Sequence, residues 1–209
     1  MSRDNLESLQ KRAGSIHIVM EIIFVIGAII FVAAMIGFIY FFFAPQDKFN
    51  VVKGTIDWSI TYRLTGSSSF FINMPLNILQ PLENSMVVAK HAFLTSMFLL
   101  LVKVSLIIYG VKQAADFLNS IANDKAPYVI RNVKRIKKIA YVLIFYSVAV
   151  DILSCLLYLI FVTKIFTLDL ANVHLSGILS GVLSGGFILV IADLFKYGVF
   201  LQDEFNAKL

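Results

Sequence analysis

The chain has 209 residues, 59% of them hydrophobic, with a mean hydropathy of +0.84 and a formal charge of +5. A soluble domain of this length buries a core with far less apolar content, so a soluble globular class is excluded and one membrane domain over residues 1–209 is expected. The basic residues flank the apolar runs, which assigns the positive balance to topology and contact with the lipid bilayer, and argues against direct nucleic-acid binding.

The first 15 residues are polar, and Asp4 to Glu7 has the spacing of a capping box, which suits a short surface helix or a frayed tail. The first span is expected at 17–43. Lys11 and Arg12 precede it as in a signal peptide, but the run is far longer than the roughly 7–15 residues of such an apolar region, so it reads as an uncleaved span. Phe38 and Tyr40 to Phe43 crowd its far end as an interfacial aromatic belt.

The connection at 44–86 carries Pro45, Pro75 and Pro81, which argues against a helix through it. Within 55–64 apolar and polar residues alternate strictly, with Ile56, Trp58, Ile60, Tyr62 and Leu64 on one face of a half-buried strand. Gly66 to Ser69 reads as a turn and Phe70 to Ile72 as the returning strand. A small β-element between the first two helices, lying over their outer ends, is expected.

The second span is expected at 87–109, its helix continuing to 122. In that extension Val111, Ala114, Ala115, Leu118 and Ile121 recur at helical spacing beside Lys112, Gln113, Asp116 and Asn119. Residues 123–127 break it, with Asp124 as a cap and Pro127 in the next first turn. The third helix, 128–162, opens with Arg131, Lys134, Arg135, Lys137 and Lys138 and enters the membrane near Ile139. A short outer connection leads to the fourth span, 174–201, and a tail, 202–209. The expected fold class is therefore an all-α membrane protein, a four-transmembrane-helix bundle. The N-terminal segment, central loop and C-terminal end hold 12 Lys and Arg against five on the other side. The positive-inside rule thus puts both termini in the cytoplasm and the β-element outside.

Four ionisable residues lie in or near the spans. Charge in hydrocarbon costs at least roughly 2.5–3.5 kcal/mol, so partners are expected. Asp151 lies about 20 Å above the inner boundary marked by Lys138, and Lys103 about 13 Å above the same boundary, a difference that a lysine stem largely spans. Lys103 and Asp151 are therefore expected to pair, either as a structural ion pair or as a proton- or ligand-responsive one. Glu21 and Asp193 fall near the inner interface, where solvated carboxylates are common. In helix four, Gly177, Gly181 and Gly185 recur every four residues beside Ser176, Ser180 and Ser184. Such ridges admit a close helix neighbour, within the monomer or across a homo-oligomer, and leucine at these glycines is expected to do most harm.

His17, His91 and His174 sit near span ends, where a polar anchor is the expected role, and Cys155 is the only cysteine. Walker, HExxH, dinucleotide-binding and triad patterns are absent from the sequence. Neither an enzyme nor a metal or other cofactor is expected.

Two stretches carry a family resemblance. Residues 125–139 include Pro127-Tyr128 and Asn132-Val133-Lys134-Arg135-Ile136; residues 193–204 include Phe195, Gly198, Leu201 and Glu204 at the spacing F-x-x-G-x-x-L-x-x-E. In these motifs and in helix count the chain resembles the bacterial four-helix membrane family catalogued as domain of unknown function 2975. Members usually carry an Asp shortly after that Glu, where this chain has Asn206. The resemblance implies no established enzymatic activity and a gene neighbourhood with a small helix-turn-helix regulator of the Cro/CI type.

The basic segment Arg131, Lys134, Arg135, Lys137 and Lys138 then has two uses, contact with anionic lipid or docking of a cytoplasmic protein. Asp203 and Glu204 join the docking face or neutralise part of that segment. The expected function is a non-enzymatic regulator of the bacterial cell membrane that holds a helix-turn-helix protein there. The alternative is a small transporter or toxin-immunity protein, which predicts a polar cavity reaching Lys103 and Asp151.

Overall fold

The computed structural model describes residues 3–53, 58–65, 68–73, 79–80, 88–123, 129–161, 167–168 and 175–208. Four long helices dominate them: α1 (Arg3–Phe43), α2 (Ala89–Asn123), α3 (Ile130–Phe161) and α4 (Leu175–Asn206). Three segments are long and apolar enough to cross a membrane, Gln10–Phe43, Ala89–Asn123 and Gly177–Phe205. The apolar half of α3 contains Asp151, Cys155, Tyr158 and Leu159, whose side chains lie outside the described residues. His174 and the expected break at 124–127 also lie outside them.

The polar N-terminus is neither a separate surface helix nor a frayed tail. It continues the first span as one helix from Arg3. Gly14 is the only strong helix disfavourer on the way, and one glycine costs only about 1 kcal/mol. Termination comes where the sequence demands it, because Pro45 restricts Ala44 and cannot extend the ladder. The expected C-terminal tail is likewise largely helical, since α4 runs on to Asn206.

Along α1 the less exposed side chains follow a strict heptad. Gln10, His17, Phe24, Phe31 and Phe38 form one line, and Ala13, Met20, Gly27, Ala34 and Phe41 the other. Residues outside these lines and the adjoining Gly14, Glu21, Ala28 and Gly37 are exposed between Lys11 and Phe43. A 3.5-residue repeat of this kind is the seam of a left-handed helix pair.

The chain forms two compact units. The first comprises Met1–Ile30, Val104–Val148 and Ser176–Leu209. Within it consecutive helices are antiparallel neighbours. A Cβ on Gly14 would lie 3.8 Å from Ala122 and one on Gly27 3.1 Å from Ile108, while Gly110 stands the same way 3.4 Å from Val142. The closest approach is between α3 and α4. A Cβ on Gly181 would run into the Ser147 side chain, and one on Gly185 would lie 2.5 Å from Ile144 Cγ1 and 2.9 Å from the Ala140 carbonyl oxygen.

The second unit comprises Phe31–Lys103 and Ala149–Leu175 and holds the β-structure. A short 3-10 turn, Gln46–Lys48, leads into β1 (Phe49–Lys53), which pairs with β2 (Trp58–Thr65), and β2 with β3 (Ser68–Asn73), all antiparallel. Arg63 pairs with Ser69 and Thr65 with Ser68, so the ladder bulges at Leu64 near the end of β2. A second pairing joins β4 (Leu79–Gln80) to β5 (Thr167–Leu168), linking the two connections outside the helices. The alternation read around residues 55–64 corresponds to β2, where Ile60 and Tyr62 are buried. Ile56 and the side chains of Trp58 and Leu64 lie outside the described residues.

The core of this unit is aromatic. Phe41 of α1 meets Phe93 of α2 edge-on at 4.7 Å and Tyr62 at 5.0 Å; Phe49 of β1 lies 4.9 Å from Tyr62 and 5.2 Å from Phe93. Each such contact adds about 0.5–1.5 kcal/mol to the area it buries. The sheet is therefore anchored to the ends of α1 and α2 by rings.

Candidate functional site

In the first unit charged side chains form a network across α1, α2 and α3 and a separate pair between α3 and α4. Lys112 of α2 donates to Glu21 of α1 at 2.8 Å and lies 3.2 Å from Asp116 one turn along its own helix. Its ammonium also stands 5.2 Å above the Phe24 ring. Asp116 is 3.9 Å from Arg135 of α3, which donates to the Asp116 carbonyl oxygen at 2.8 Å and to Asn132 at 3.2 Å. Asn132 in turn donates to Ser120 at 2.9 Å, a buried link between α3 and α2. Lys137 of α3 meets Asp193 of α4 at 2.8 Å.

Glu21, Asp116 and Asp193 thus balance Lys112, Arg135 and Lys137. Every helix of the unit is tied to a neighbour by at least one of these pairs. His17 adds a further link, its ring Nδ1 lying 3.0 Å from the Ala115 carbonyl oxygen, which makes that nitrogen the donor.

The network divides the basic segment of α3. Arg135 and Lys137 are half-buried and paired within the unit, whereas Arg131, Lys134 and Lys138 are exposed. Lys138 stands 6.0 Å from the Tyr109 ring centroid. The apolar side of the α2 extension is not available beside them, because Ala115 is fully buried and Ala114, Leu118 and Ile121 are half-buried. Asp203 and Glu204 are exposed on α4, and Glu204 pairs with Lys208 one turn later. The acid that binds α4 to α3 is Asp193, near the middle of the membrane-length helix, not the tail pair. Gly177 is exposed, and Gly181 and Gly185 face α3.

Glu21 and Asp193 therefore each meet a lysine. Lys103 is half-buried in α2, and its expected partner Asp151 has its side chain outside the described residues. Asp116, Asn132 and Ser120 are participants that the sequence alone did not single out. Asp116 was legible as a polar member of an amphipathic helix, but not as the bridge between Lys112 and Arg135. Asn132 carried a signal only as a motif residue.

The second unit holds a cavity of about 710 Å³. Phe38 and Phe42 of α1, Leu94 and Phe98 of α2, and Leu157 and Phe161 of α3 make its apolar wall. Gln46, Lys90, His91 and Thr95 supply its polar groups. Lys90 donates to the Ala44 carbonyl oxygen at 2.7 Å. His91 Nδ1 lies 3.2 Å from the Phe161 carbonyl oxygen. Lys103 does not border this space.

Beside the sheet, Tyr40 and Tyr62 hydroxyls meet at 3.4 Å. That hydrogen bond first, and burial second, push the Tyr62 phenol up to about 12.

No family model, curated protein or solved structure matches the chain. The resemblance to the four-helix family accordingly rests on the two motif stretches, within which Asn132, Lys134 and Arg135 belong to the α3 end of the charged network or to the exposed basic face next to it.

Proposed function

We propose that this chain is a non-enzymatic regulator of the bacterial cytoplasmic membrane, crossing it four times with both termini inside, and that α3 holds a small cytoplasmic helix-turn-helix protein through its outward cations. The observation that carries this reading is the sorting of the basic residues. Arg135 and Lys137 are engaged in ion pairs within the chain, while Lys134 and Lys138 are exposed one turn apart on one helix face. A row of cations fixed on a rigid helix suits an acidic patch on a folded partner, and complementary charge sets both approach rate and orientation. The count of 12 inner against five outer basic residues supports the inner placement of that face. The family resemblance supports the kind of partner.

The test is recovery of partners with the full chain from native membranes, comparing the wild type with Lys134→Glu and Lys138→Glu together. A helix-turn-helix protein held by the wild type and lost with the reversal is the expected outcome. Its absence from the wild type overturns the reading. Anionic and zwitterionic vesicles form the second arm: a reversal that changes only adsorption to anionic vesicles assigns the cations to lipid.

A small transporter or toxin-immunity protein is the second reading, and the cavity beside Lys90 and His91 is what favours it. It requires that deletion of the gene alter flux of, or resistance to, a peptide or lipid-soluble toxin.

A further inference from the structure

The cavity of the second unit is arranged like an amphiphile. At about 710 Å³ it falls within the roughly 300–1,000 Å³ of small-molecule sites. Its charged group, Lys90, lies in the first turn of α2, level with His91. Thr95 and then Phe98 follow on the same helix, so about 12 Å of helix rise separates Lys90 from Phe98. Phe38 and Leu157, on α1 and α3, complete the apolar part. The space therefore runs from a cation at the helix ends into hydrocarbon-like surroundings, the direction in which a lipid itself lies.

Lys90 gives one of its three donors to a neutral carbonyl, that of Ala44, and among the described residues no carboxylate pairs with it. His91 directs Nδ1 to the Phe161 carbonyl, which leaves Nε2 for another partner. Gln46 and the buried Thr95 add neutral hydrogen-bonding groups. Phe42 and Phe161 are more than half exposed, so the space is open along one side rather than sealed. An apolar slot with a cation at one end, which meets no carboxylate among the described residues, is complementary to an acidic headgroup carrying a hydrocarbon chain.

We propose that this groove binds an acidic amphiphile, with a phosphate or carboxylate on Lys90 and one hydrocarbon chain along Leu94, Phe98, Phe38 and Leu157. Such a ligand comes either from the bilayer, as one chain of an anionic phospholipid, or from water, as a free fatty acid. The proposal does not depend on the regulator reading, because no cytoplasmic partner enters it or its test.

The experiment is native mass spectrometry of the full chain in detergent, offered phosphatidylglycerol, phosphatidylcholine or palmitate. The wild type is expected to retain an acidic probe in preference to phosphatidylcholine; retention of phosphatidylglycerol points to the bilayer source and retention of palmitate alone to the aqueous one. Lys90→Gln is expected to weaken that retention roughly tenfold, and Lys90→Arg to preserve it. Leu157→Trp fills the chain path from a different helix and is expected to release the probe without altering charge. It also keeps the test decisive if Lys90→Gln fails to fold. Equal retention of phosphatidylcholine by the wild type, or retention unchanged in both Lys90→Gln and Leu157→Trp, overturns the proposal.

Discussion

Asn132, with no exposed surface, donates from its side-chain amide to the hydroxyl of Ser120 at 2.9 Å and accepts from Arg135 at 3.2 Å. A buried amide satisfied at both ends holds α3 against α2 at a fixed register. Its replacement by an apolar side chain strands the groups it served. Asn132→Leu is therefore expected to lower stability by about 1–3 kcal/mol. Thermal unfolding in detergent, compared with the milder Ser120→Ala, measures it; a melting temperature equal to the wild type would remove Asn132 from the account.

The α3–α4 contact should discriminate between adjacent glycines. An added Cβ at Gly185 meets the Ala140 carbonyl oxygen at 2.9 Å, and backbone cannot swing aside, whereas at Gly186 it meets nothing within 4 Å. Gly185→Ala is expected to cost about 1–3 kcal/mol, the usual scale of overpacking. Gly186→Ala should be neutral or stabilising by up to roughly 0.5–1 kcal/mol, because a mid-helix glycine is entropically costly. The two variants differ by one position, so equal melting temperatures would contradict the packing described.

The charged network predicts unequal losses. Lys112→Met leaves Glu21 and Asp116 facing each other without their shared cation, while Lys137→Met leaves only Asp193, which is 65% exposed. The first is expected to lower the melting temperature more than the second. Added salt should narrow the difference, because these groups are partly screened. Unfolding curves of the two variants at low and high salt decide the order.

Tyr62 supplies a pH signature. Its phenol is neutral in the folded state up to about 12, whereas an exposed tyrosine loses its proton near 10.0. The folded state then holds a proton that the unfolded state has released. The stabilisation is complete below pH 10.0 and is lost as pH rises through about 12. Ultraviolet titration should find one tyrosine ionising late. Tyr40→Phe removes the largest cause of the shift and should bring it back toward the ordinary range.

Orientation is testable in a Cys155→Ser background. Arg63→Cys, on an exposed position of β2, is expected to react with a membrane-impermeant thiol reagent in intact cells. Ala207→Cys is expected to react only after lysis. The reverse pattern would turn the basic face of α3 outward and end the docking proposal.

Much of the helix plan was legible because breakers are local. Pro45 closes α1 and the polar runs separate the helices, so the expected ends fall within about two residues of α1's C-terminus and of both ends of α2 and α3. The N-terminus of α1 was not legible, because a polar segment without a proline extends a helix as readily as it frays. β2 announced itself by alternation, but β1 did not. Phe49-Asn50-Val51-Val52-Lys53 has no clean period, and its place beside β2 is fixed by the non-local pairing of Phe49 with Tyr62. β4 and β5 are two residues each and meet across nearly 90 positions of sequence, beyond any local pattern.

The buried face of α1 was hidden for a different reason. In water, periodicity shows because the outer face is polar. Here Ile22, Ile26 and Ile29 are exposed and Phe24, Gly27 and Phe31 are half-buried, so both faces are apolar and composition does not separate them. The site was partly legible for a related reason. Charge in an apolar helix marks a residue for pairing, which singled out Glu21 and Asp193, but not which lysine each would meet. Lys90 gave no such signal, because a lysine at a span end is ordinary, and only the cavity around it sets it apart.

The heptad of α1 turns chain length into angle. Its less exposed face runs from Gln10 and Ala13 to Phe38 and Phe41 along an uninterrupted helix. One residue inserted near Met35, within the second unit, would rotate the helix beyond it by about 100°, carrying Phe41 away from Phe93 and Tyr62 while barely changing composition and hydropathy. Seven inserted residues would restore the face and displace the aromatic anchor along the axis by about 10 Å. The helix thus acts as a keyed shaft, on which indels are counted modulo seven.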